Sequence, residues 1–206
     1  MILFKWSEVN MKTGTRWLAV ASGKANFITR EEVPIIIILS RGTFVEKLKI
    51  FFVPIDPINF TDLLIKELED EEWFKIDLIH GFWFSGATIA GGGIINYKKL
   101  SAQWGKPIIS ITDEKPDSLS IKTMFDKHFE KDGDKRWEEF LENDIEPESI
   151  QKLVPECNLY IAAYNIDLNE VIKILRAQQI QGCKPEALRV AKMIASAIPN
   201  SIDVKN

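Results

Sequence analysis

Histidine and cysteine are scarce in this 206-residue chain: His80, His128, Cys157 and Cys183 are all it carries. The cysteines fit no CxxC spacing and the four residues lie far apart, so a zinc site rich in Cys and His is nearly ruled out. A catalytic metal would then rest on oxygen ligands, as Mg²⁺ prefers, and 30 Asp and Glu make carboxylates the first donors to consider. Set against 26 Lys and Arg, those acids leave a net charge of −4, with no dominant basic field for nucleic acid. A local basic lean does exist in Lys173, Arg176, Lys184, Arg189 and Lys192, with Phe82 or Trp83 as a stacking platform. The plain alternative is a solvated helix surface and a buried aromatic pair.

Two further features carry chemical meaning. His80 titrates near neutral pH and can act as a general base, although no partner acid is evident beside it. The stretch Ser85 to Gly93, SGATIAGGG, follows a strand and precedes a helix. Its Ser85, Gly86, Gly91 and Gly92 are candidates to cradle a phosphate or a nucleotide on backbone N–H groups. It lacks Gly-Lys-Ser/Thr, so a tight turn is the simpler reading of those glycines.

The elements that must position these residues follow from the hydrophobic period. At 46% hydrophobic, with 12 Phe and 6 Trp, the chain can fill a core. Strands are predicted at 16–21, 34–40 and 44–53, joined as an antiparallel meander with a bulge in the third. A helix capped by Asn59 or Thr61 follows, then a strand at 73–80, the glycine-rich loop at 81–93 and a helix at 94–104 stopped by Gly105. Next come a strand at 106–112, helices opened by Asp117 or Ser118 and around Trp137, and a strand at 159–164. Two helices close the chain, one ending at Gly182 and one with Pro185 in its first turn. The order gives an α/β fold with a mixed sheet and flanking helices in a single domain. Residues 1–11 read as an N-terminal extension, 12–200 as the domain and 201–206 as a tail. No segment reads as a signal peptide or membrane span, and Cys157 and Cys183 read as reduced thiols of a cytoplasmic protein, with pairing left open should the fold bring them together.

Three segments carry a resemblance. Leu159 to Ile198, and within it PEALRVAKMIASAI, is similar to the end of an archaeal endonuclease-V-like family, the endonuclease dU family. GKPIISITDEKPD at 105–117 and Asp-Lys-Arg-Trp-Glu-Glu at 134–139 also resemble it. The resemblance implies a ribonuclease-H-like fold, a role in DNA repair on deoxyuridine, and a metal site where the first and fourth strands end side by side. There the chain departs from the pattern. Ala21 and Ser22 stand at the positions of a paired aspartate, His80 at that of the fourth strand's acid, and Asn96 near another. Glu186 is kept, and Lys192 replaces a usual histidine.

Metal-assisted cutting needs clustered carboxylates to hold the ions that stabilise the attacking and leaving oxygens. Alanine offers no ligand, a serine hydroxyl is neutral, and one imidazole favours softer metals. The expected reading is a diverged member deficient in catalysis, with no residue assigned as catalytic, no cofactor, and DNA or a protein as partner. The alternative is an active endonuclease on deoxyuridine or deoxyinosine DNA, loaded with Mg²⁺ or Mn²⁺. It would use relocated acids drawn from Asp77, Asp113, Asp167 and Glu186. A second alternative is phosphate or nucleotide binding at the glycine-rich loop.

Overall fold

The computed structural model describes residues 14–28, 31–144 and 146–199. The proposed extension at 1–11 and tail at 201–206 lie outside them. Continuous β-branched and aromatic runs build the first three strands: β1 (Arg16–Ser22), β2 (Val33–Arg41) and β3 (Phe44–Val53). They form the expected antiparallel meander, and the β2–β3 register slips between Leu39 and Ser40, the predicted bulge. Helix α1 (Phe60–Glu69) follows, with Asn59 at its N-cap position in a left-handed conformation and making no side-chain cap. The remaining elements are β4 (Ile79–Phe84), a hairpin of β5 (Thr88–Ile89) and β6 (Gly93–Ile94), α2 (Tyr97–Trp104) and β7 (Ile108–Thr112). Then come α3 (Ser118–His128), α4 (Gly133–Leu141), β8 (Glu148–Ser149), β9 (Tyr160–Tyr164), α5 (Leu168–Ala177) and α6 (Glu186–Ala197).

The main sheet has the order β3-β2-β1-β4-β7-β9-β8, with β4 parallel to both β1 and β7. Two cores flank it. Trp17, Ala19, Ala21, Trp83, Ile109 and Ile111 face α5 and α6. Leu18, Val20, Phe82 and Phe84 face α1 and α2. Sheet faces covered on both sides explain why Ile35 to Ile38 are all fully buried rather than alternating. Among the described residues no helix is long and apolar enough to cross a membrane.

Four expectations are corrected. The fourth strand does not end at His80. It begins at Ile79 and runs to Phe84, because Gly81-Phe82-Trp83-Phe84 is the apolar run that fills the sheet's centre. Gly81 is needed there, since a Cβ would collide with the ring of Trp17. The helix after the loop starts at Tyr97, and the one expected to reach Gly182 stops at Ala177. Cys157 and Cys183 are not separate thiols: the α5–α6 connection folds onto the β8–β9 loop and the two form a disulfide, Cα to Cα 5.5 Å.

Candidate functional site

Moving the end of β4 moves the candidate site. Val20 pairs with Phe84 and Phe84 with Ser110. Continuing those registers brings Ser85 level with Ala21 on one side and Ile111 on the other. Side chains two apart on a strand share a face. Ala21, Trp83 and Ile111 belong to the core on the α5 and α6 side; Ser85 and Asp113 follow the ends of β4 and β7, and Asp113 reaches Lys184 and Lys192 on that side. His80 instead pairs near Arg16, at the far end of the sheet, about 20 Å of strand from Ser22. Burial, and then the charge of Lys106, hold its imidazole below the usual range, which favours the neutral ring. The residue that stands beside the end of β1 is Ser85, not His80.

Two lysines approach this edge. Asp113 Oδ2 lies 2.5 Å from Lys184 Nζ and 3.9 Å from Lys192 Nζ. Lys184 belongs to the α5–α6 connection and Lys192 to α6. Burial, and after it the neighbouring Lys184, push the Lys192 ammonium below the usual lysine range. Ser22 lies on the opposite face, where its hydroxyl accepts a 3.4 Å hydrogen bond from Ala90 N. The edge thus joins a buried methyl, a hydroxyl, one carboxylate and two ammonium groups.

The acids considered as relocated ligands do not gather. Asp77 lies in the short 3-10 turn before β4, at the wrong end. Asp167 caps α5, accepting from Glu170 N at 3.0 Å. Glu186 opens α6 and is paired with Arg189 at 2.7 Å. That hydrogen bond holds the Glu186 carboxyl below the usual range. Among the described residues no three His, Cys, Asp or Glu side chains gather into a group able to hold a metal ion. Two divalent ions need several charged oxygens at one point. Ala21, Ser85 and a lysine-paired Asp113 do not fit them.

The other candidates have structural work to do. Phe82 and Trp83 are fully buried and offer no stacking platform. Phe82 stacks on Trp104 with ring centroids 4.8 Å apart, and the indole of Trp83 donates to Gln178 Oε1 at 2.9 Å. The glycine-rich loop folds into the β5–β6 hairpin with two of its N–H groups turned inward. Ala90 N donates to Ser22, and Gly92 N to Asp56 Oδ1 at 2.7 Å. Gly91 has φ of 94°, and a Cβ there would run into Asp56. Gly86 lies beside Thr112. The loop is a packed hairpin and not an open phosphate cradle.

Asn96 is the N-cap of α2, its carbonyl oxygen accepting from Lys99 N at 2.9 Å. Its amide donates to Glu142 Oε2 at 2.7 Å. Near Glu142 lies Glu139, whose carboxyl is pushed above the usual range by burial first and by Glu142 second. An acid with a raised folded pKa loses stability as pH climbs through that pKa. Glu139→Gln is therefore expected to raise the melting temperature at neutral pH, with the gain vanishing below about pH 4, where the unfolded glutamate is also protonated. Equal melting curves across the range would refute this.

Two features of the site carry no local signal in the sequence. One is Arg136, a buried guanidinium reaching Gly92 O at 2.6 Å and Asp56 O at 2.9 Å, which locks the hairpin to α4. The other is the convergence of Lys184 with Asp113 across 71 residues, which no local spacing announces.

Comparison with known proteins bears on this arrangement. The chain matches the family described as endonuclease dU over residues 13–199. A UPF0215 protein of Pyrococcus furiosus is 30% identical over 147 residues, 71% of this chain and 72% of that protein. A crystal structure of a protein of unknown function from Archaeoglobus fulgidus superposes with a TM-score of 0.75 at 20% identity, over 89% of this chain and 97% of that one. Endonuclease V of Ciona intestinalis, in complex with a 23mer DNA containing an inosine, gives a TM-score of 0.55 at 11% identity, over 88% and 84%. The last two likenesses concern the fold alone.

Proposed function

The chain belongs to the endonuclease dU family, and from that premise we propose that it is a member without metal-dependent nuclease chemistry that binds nucleic acid at the ends of β1, β4 and β7. The observation that carries the reading is the composition of that edge. β1 and β4 pair as far as Val20 and Phe84, so Ala21 and Ser85 are the next residues at that edge, and the nearby carboxylate, Asp113, is bound to Lys184. Lysines beside an edge short of acids suit phosphate oxygens and repel divalent cations. The Ciona endonuclease V of the same fold is held on DNA, which supports nucleic acid as the ligand. The net charge of −4 asks that contact be local to this edge, not spread over a basic face.

The test is incubation of the purified protein with oligonucleotides carrying deoxyuridine or deoxyinosine, in Mg²⁺ or Mn²⁺, alongside a gel-shift titration. The expected outcome is binding that weakens steadily with salt, and no metal-dependent cutting. Metal-dependent scission that Glu186→Gln removes would overturn the reading. So would the absence of any binding at low salt.

A further inference from the structure

Lys192, Lys184 and Asp113 reach one point from three elements: α6, the α5–α6 connection and the end of β7. The short contact, 2.5 Å, belongs to Lys184, whose side chain is 17% exposed. Lys192 stands back at 3.9 Å with its side chain 36% exposed, reachable from solvent yet half withdrawn from it. An amine partly desolvated and set beside a second ammonium is poised to shed its proton, the condition for a nucleophilic lysine. Burial and Lys184 lower the proton affinity of Lys192 in that direction. The Asp113 carboxylate, 3.9 Å from Lys192 Nζ and paired with Lys184, is the nearby proton acceptor. The same strand ends do not fit metal ions, so a chemical step on a nucleic-acid strand here would have to proceed without a metal-activated water.

Resting on the binding reading above, we propose that Lys192 is an amine nucleophile toward an aldehyde carried on a phosphodiester backbone, the C1′ carbonyl of an abasic deoxyribose. The neutral Nζ adds to C1′, water leaves, and an imine links protein to strand. Asp113 accepts the C2′ proton, the electron pair forms the C2′–C3′ double bond, and the C3′–O bond breaks to release the phosphate terminus. Water then hydrolyses the imine, returning the amine and an unsaturated aldehyde. No oxidant or reductant enters the sequence.

The experiment uses the full chain, an oligonucleotide with one abasic site, EDTA throughout, and borohydride to reduce the imine to a stable secondary amine. The expected result is a covalent protein–DNA adduct that peptide mass spectrometry maps to Lys192, and that Lys192→Met and Lys192→Arg both lose. The tetrahydrofuran analogue, which has no aldehyde, is expected to bind without forming an adduct. Lys184→Met is expected to shift the pH at which trapping is half-maximal upward, a change that a merely structural role would not produce. Binding of the analogue with no trapping of the aldehyde, or an adduct mapped to another amine, would overturn this proposal and leave the binding reading intact. Loss of binding to both oligonucleotides would overturn both. Melting curves of the lysine variants, and the retained binding of the tetrahydrofuran analogue, separate lost chemistry from lost fold.

Discussion

Arg136→Met is expected to destabilise the fold by about 3–5 kcal/mol, read as a lower urea midpoint with an unchanged slope. The guanidinium is 7% exposed at its side chain and has four partners. It bonds Asp132 Oδ2 at 2.8 Å, Gly92 O at 2.6 Å and Asp56 O at 2.9 Å. Its fourth contact is the Phe129 ring, 4.4 Å from ring centroid to Cζ. Methionine preserves much of the volume but leaves the carbonyls of Gly92 and Asp56 and the Asp132 carboxylate without their donor. Asp56 also receives Gly92 N and donates its own N–H to Ala90 O, so Arg136 braces both the hairpin and the segment that it is bonded to. Proteolytic nicking at 86–93 is expected to rise in parallel. A loss under about 1 kcal/mol would mean that water replaces the guanidinium at little cost.

Removing the disulfide is the second large effect. Cys157 and Cys183 are 26 residues apart, and closing a loop of that size stabilises by roughly 2–4 kcal/mol through the unfolded chain. A Cys157→Ser, Cys183→Ser double variant is expected to lose that amount in a denaturation curve. Reductant is expected to shift the parent to the same midpoint and to leave the variant unmoved. A parent insensitive to reductant would sink the prediction. The bridge also lies one residue from Lys184, so its loss is expected to loosen the Lys184–Asp113 pair and, on the proposed function, to weaken binding of oligonucleotides. Disulfides are rare in most intracellular proteins, which is why two isolated cysteines with no framework spacing read as thiols.

Much of the architecture was legible. Alternation and β-branched runs placed β1, β2 and β3 and their meander, because a strand's period is local. Asp117 was one of two residues readable as the cap of α3, because a side chain reaching its own helix N-terminus needs only a few residues of sequence. The misplacement of β4 has the opposite cause. A strand buried on both faces has no alternation, and a glycine before three aromatics reads as a loop until Trp17 is known to occupy the space beside it. From that one shift came the wrong assignment of His80 to the site.

The sequence by itself determined the fold class, the family likeness and the shortage of acids at Ala21, since those depend on residue identity and local period. Only the tertiary structure decided that Ser85 stands beside Ala21, that Asn96 is a cap, that Cys157 meets Cys183, and that Lys184 and Lys192 converge on Asp113. Each of these is a meeting set by strand register or helix packing, and such contacts leave no mark in the spacing along the chain.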